Sequence, residues 1–97
     1  MAISKEHLIA ARQDIEKHWG SEVLTVIDRQ TVHPMTLKEF LTHCTACGGN
    51  WGGMFLSGIN DIWPEVYDAI PSWMGSFAFS CICSTMNLLG VDTSGEE

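Results

Sequence analysis

Met35-Thr36-Leu37-Lys38-Glu39-Phe40-Leu41 is the stretch whose reading decides the fold. A threonine followed three residues later by a glutamate is a capping box: the hydroxyl accepts from the third helical N–H, and the carboxylate reaches back to the threonine's own N–H. Met35 and Phe40 stand where a hydrophobic staple needs them. The helix that opens here is expected to bury Leu37, Phe40, Leu41, Cys44 and Cys47. It should end at Gly48-Gly49, because glycine takes the left-handed closing conformation at little cost.

Toward the N-terminus, Ser4 is placed to cap a first helix, with Ile3 and Leu8 as its staple. Leu8, Ala11, Ile15 and Trp19 then form an apolar stripe at helical spacing, and Gly20 closes it. Glu22–Ile27 is rich in β-branched and large apolar residues and reads as a short strand. Asp28-Arg29-Gln30-Thr31 would turn the chain so that Val32-His33 pairs back, until Pro34 stops the pairing.

Toward the C-terminus, Asn50 would cap a helix burying Trp51, Met54, Phe55, Gly58, Ile59 and Ile62. Pro64 suits the first turn of a short helix ending near Pro71. Ser72 would cap a last helix from Trp73 to Leu89, apolar around most of its surface except for Ser76, Ser80, Ser84 and Asn87. The expected fold class is α-dominant α+β, with four to five helices and a short two-stranded hairpin. Residues 1–97 read as one domain: helix and hairpin over 1–34, a helical core over 35–91, and a polar tail over 92–97.

Charge narrows the function. The formal net charge is −7. All five bases (Lys5, Arg12, Lys17, Arg29 and Lys38) lie in residues 1–38, balanced there by five acids. Residues 39–97 carry seven acids and no Lys or Arg. No basic patch can form there to displace counterions, which argues against direct nucleic-acid binding and against an anionic lipid surface. An acidic surface suits a basic protein partner, and it also aids solubility with no partner at all. Ala69 to Val91 carries no charge, yet Pro71, Gly75, four Ser, Thr85 and Asn87 interrupt it, so no membrane span is expected. The N-terminus has no signal-peptide core, so a cytoplasmic location is expected.

Three groups of residues bear on function. Gly49, Asn50, Trp51, Gly52 and Gly53 could hold a small nucleotide, with backbone N–H groups on the phosphate and Trp51 stacked on the base. The same glycines also serve as a tight interhelical turn. Asp61, Trp63, Glu65, Tyr67 and Asp68 combine acids with aromatics of the kind that anchor protein interfaces. Cys44, Cys47, Cys81 and Cys83 would make a four-thiolate zinc site, although the Cys81-x-Cys83 spacing is unusual and buried cysteine packs as a small hydrophobe. The favoured reading of the thiols is core packing without a cofactor, with zinc as the alternative. No nucleophile, base and orienting group can be named together, so catalysis is not expected. The apolar last helix suggests self-association into a homo-oligomer.

The run Met35–Leu41, followed by Cys44-Thr45-Ala46-Cys47-Gly48-Gly49-Asn50-Trp51-Gly52-Gly53, resembles small accessory proteins of phages and prophages of Gram-positive bacteria. The resemblance extends from about Val26 to Val91 and carries no residue roles with it. It implies an inhibitor of host defence, for example of the anti-CRISPR kind, that binds a host defence protein or sequesters a signalling nucleotide. The leading expectation is an inhibitor acting by protein–protein binding. The alternatives are a nucleotide-sequestering protein and a small zinc-stabilised domain.

Overall fold

In the computed structural model, which describes residues 3–45, 51–71 and 78–93, the capping box forms as its sequence requires. The Glu39 N–H donates to Thr36 Oγ1 at 3.1 Å, and the Thr36 N–H donates to Glu39 Oε1 at 2.9 Å. The helix it opens, α3 (Leu37–Leu41), is shorter than expected and gives way at Thr42. Phe40 is fully buried, whereas Leu37, Leu41 and Cys44 only flank the core. Cys47 lies outside the described residues.

Helix α1 (Lys5–His18) begins where Ser4 Oγ accepts the His7 N–H. It buries Ala11 and Ile15 and ends at Trp19, ahead of Gly20. The expected strand over Glu22–Ile27 is corrected. Residues Ser21–Asp28 form helix α2, with Val23, Leu24 and Ile27 buried along one side. The helical penalty of a β-branched residue is a few tenths of a kcal/mol, whereas burying each aliphatic side chain is worth about 1.5–3 kcal/mol. Packing therefore outweighs local preference. Arg12 clamps α1 to α2 with two bonds to Asp28, at 2.7 and 3.1 Å. That pair raises the arginine pKa and lowers that of the aspartate through the shared hydrogen bonds.

The expected hairpin is absent for the same reason. Residues 31–34 instead pass the end of the last helix, where the His33 N–H donates to Leu89 O at 2.9 Å. The two-stranded sheet joins β1 (Met35–Thr36) to β2 (Val91–Asp92) in parallel, with Met35 opposite Val91 and Thr36 opposite Asp92. Asp92, expected in a frayed tail, is buried in β2.

Helix α4 (Trp51–Ile62) buries Phe55, Gly58 and Ile59, close to the expected face. Gly58 lets α3 approach: a Cβ there would lie 2.6 Å from Phe40 Cζ and 2.7 Å from Cys44 Sγ. Helix α5 (Pro64–Ala69) has its proline in the first turn, and α6 (Ala78–Leu88) is described from Ala78 onward. Six helices thus appear among the described residues, more than expected, within the α-dominant α+β class. One core cluster draws Ile15, Ile27, Phe40, Ile59, Trp63, Val66, Met86, Leu89 and Val91 from every helix or its end and from β2, with Met35 of β1 packed against it. The broadest helix-to-helix contact is between α1 and α6. No helix among the described residues is long and apolar enough to cross a membrane.

Candidate functional site

The polar stripe of α6 divides between solvent and interior, with Ser80 exposed. Ser84 and Asn87 are buried, while Phe79 is 50% exposed. The stripe turns onto α1, where Ser80 Oγ and Ser84 Oγ both donate to Asp14 Oδ2, at 2.8 and 3.1 Å. Asn87 Oδ1 accepts the Thr93 hydroxyl at 3.0 Å. A buried hydroxyl or carboxylate must find partners, and pairing the α6 serines with one α1 carboxylate satisfies both helices at once. Beside this seam lies a cavity of about 320 Å³, lined by His7, Asp14, Ser80, Ser84, Asn87 and two alanines of α1.

Asp14, which lines the cavity, also meets His18 and Cys81, and the three each bring a ligand-type atom within 4.8 Å of the others. His18 follows Asp14 by one helical turn, and its Nδ1 stands 3.2 Å from Asp14 Oδ1 and 3.1 Å from the Asp14 carbonyl. Cys81 is fully buried on α6, with Sγ 3.9 Å from the Asp14 carbonyl oxygen. Burial, followed by the negative Asp14, pushes this thiol up from its ordinary 9.0 to about 11. Burial also raises Cys83. Reactive cysteines are thiolates in accessible, electropositive surroundings, and Cys81 has neither property. The thiol, imidazole and carboxylate are therefore not arranged as a nucleophilic triad, despite their proximity.

A prediction follows from that burial. Cys81 should resist a disulfide-exchange reagent at about pH 8 in the native protein and react at once after denaturation. Well below pH 9.0 the thiol is neutral in both the folded and the unfolded chain. Between there and about 11 the unfolded chain ionises while the folded one keeps its proton, so stability should fall as pH rises across that window. Urea midpoints measured across the window would check it. Cys81→Ala should flatten the decline.

Of the residues singled out from sequence, Gly49 and Asn50 lie outside the described part. Trp51, Gly52 and Gly53 form the first turn of α4, with both glycines half-buried. Cys44, Cys81 and Cys83 do not gather: among the described residues, the only group of three metal-ligating side chains is Asp14, His18 and Cys81. Cys47, the fourth thiol of that arrangement, lies outside the described residues. Trp63 also changes role. It is 2% exposed, and its Nε1–H donates to Thr31 O at 3.0 Å, so it belongs to the core and not to a contact surface.

Its neighbours do reach the surface. Tyr67 is 41% exposed, and Asp61, Glu65 and Asp68 are all exposed. His43 Nδ1 meets Asp61 Oδ2 at 2.8 Å, and Gln30 Nε2 donates to Glu65 Oε1 at 3.0 Å. Glu65 and Asp68, three apart on α5, share a helix face. The α1–α6 seam was missed from sequence because its parts are 66 to 70 residues apart. The one legible signal was the i,i+4 pair Asp14 and His18 opposite a helix with a serine stripe.

Comparison of the chain with protein-family models, with curated proteins and with solved structures returns no significant match.

Proposed function

We propose that this chain is a phage-type accessory protein that inhibits a host defence protein in the bacterial cytoplasm, by binding a basic surface of that protein and not by catalysis. The observation that carries the proposal is the cluster at the end of α4 and on α5. There Asp61, Glu65 and Asp68 are exposed around a half-exposed Tyr67, on elements with no Lys or Arg. Tyrosine supplies a rigid, amphipathic contact that is enriched at interface hot spots. The carboxylates around it would steer a cationic partner into place and reject an acidic one.

The test is a charge reversal. Asp61→Lys, Glu65→Lys and Asp68→Lys together should leave the fold intact, because their only described partners are His43 and Gln30 at the surface. Exposed pairs of this kind contribute about 0–1 kcal/mol each. In a defended Gram-positive host, expression of the wild-type chain should restore plaque formation by a sensitive phage. The triple variant should lose that effect while melting within a few degrees of wild type. Equal protection by both proteins, or no protection by the wild type against any defence tested, would refute the reading.

A further inference from the structure

We propose that Asp14, His18 and Cys81 form a zinc site that pins α1 to α6. The site is separate from the acidic cluster on α5 and goes beyond the binding function assigned to it. Thiolate, imidazole and carboxylate together are the donor set of tetrahedral zinc, and the sulfur and nitrogen disfavour magnesium and calcium.

The spacing agrees with that metal. Zinc–nitrogen and zinc–oxygen bonds of about 2.0–2.2 Å place two tetrahedral ligand atoms about 3.3 Å apart. His18 Nδ1 and Asp14 Oδ1 are 3.2 Å apart. The Cys81 sulfur lies within 4.8 Å of one ligand-type atom of each of the other two residues, where a 2.3 Å zinc–sulfur bond asks for about 3.6 Å.

The surroundings supply the support such a ligand needs. Ser80 and Ser84 both hold Asp14 by Oδ2, which leaves Oδ1 turned toward His18. Fixing a ligating carboxylate from its far oxygen is how outer groups orient metal ligands. The charges also balance: one carboxylate, one thiolate and a neutral imidazole cancel the dication in a half-buried site. On binding, the zinc–sulfur bond replaces the sulfur–hydrogen bond and the proton leaves to solvent. No oxidation state changes. Three protein ligands leave a fourth position for water.

Cobalt(II) and zinc(II) themselves are the probes, added to the full chain after removal of metals by chelator. Cobalt should bind at one equivalent and give thiolate-to-metal charge-transfer absorption with tetrahedral visible bands, both displaced by zinc. Cys81→Ser should abolish the charge-transfer band, whereas Cys44→Ser and Cys83→Ser should keep it. Ser80→Ala with Ser84→Ala should weaken affinity about 10–100-fold, as loss of outer-shell partners does. Should Cys81→Ser fail to fold, His18→Gln decides, since its side chain is partly exposed; a folded His18→Gln protein should bind cobalt at least about tenfold more weakly. No charge-transfer band in the wild type, a band that survives Cys81→Ser, unchanged affinity in His18→Gln, or a band lost with Cys44→Ser would each overturn the assignment. The charge reversal on α5 should leave cobalt binding unchanged, so failure of either proposal would not implicate the other.

Discussion

Replacing Trp63 by alanine is expected to cost about 3–5 kcal/mol, the range for emptying a buried aromatic site. The indole is 2% exposed and sits at the head of α5, where it belongs to a core that includes Ile27, Ile59 and Val66. The His33 ring tilts against it, with centroids 5.7 Å apart. Truncation would also leave the Thr31 carbonyl without the indole N–H that now donates to it at 3.0 Å. At about 4–8 °C per kcal/mol for a chain of this size, melting would fall by well over ten degrees. Trp63→Phe separates the contributions: it keeps most of the volume and forfeits one hydrogen bond, worth about 1 kcal/mol. If Trp63 were a partner anchor, alanine would weaken binding and leave melting near wild type. Calorimetry of both variants tells these apart.

Gly90→Ala is expected to have the next largest effect, about 3 kcal/mol. Gly90 has φ +110°, a region that L side chains rarely adopt. A Cβ there would lie 2.7 Å from the His33 carbonyl oxygen and 2.8 Å from its carbon, both backbone atoms with no room to retreat. The crowded strand is held on each side of that point, by the His33 N–H on Leu89 O and the Met35 N–H on Gly90 O. Relief of the clash therefore has to break one of these bonds or unpair β1 from β2. Gly20→Ala is the matched control. Its φ of +107° is nearly the same, but a Cβ at Gly20 would meet nothing within 4 Å. The control should show the backbone strain alone and the Gly90 variant strain plus collision. In hydrogen exchange, the His33 and Met35 amides should lose protection only in the Gly90 variant.

What could be read from the sequence were the features whose cause is local. Thr36 with Glu39, Ser4 ahead of α1 and Pro64 at the start of α5 all act within a turn of themselves, and all stand as expected. The stretch Glu22–Ile27 misled because its β-branched residues state a weak preference that α1 and α5 override. Its Val23, Leu24 and Ile27 spacing carried the helical answer. The polar stripe of α6 was legible as a stripe, but its partners were not. Ser80 and Ser84 satisfy a carboxylate on another helix, while Asn87 accepts the Thr93 hydroxyl. Cys81 is drawn to Asp14 by tertiary packing across 67 residues, and no local spacing announces such a meeting. The acidic character of α5 was legible, because net charge survives any change of fold. Which of its aromatics faces inward was not, since Trp63 and Tyr67 are alike in sequence and differ only in which way the helix end turns them.

The pairing of β1 with β2 has a bearing on how the molecule comes into being. Its two halves are residues 35–36 and 91–92, and the α1–α6 seam likewise waits on residues 80 and 84. A loop that long costs entropy to close before any contact repays it. During synthesis, α1 to α5 must therefore leave the ribosome with Ile15, Phe40 and Ile59 still lacking their final neighbours. The chain can fasten shut only after Val91 has cleared the exit tunnel. Until then the five earlier helices stand without the helix and the strand that close the core over them.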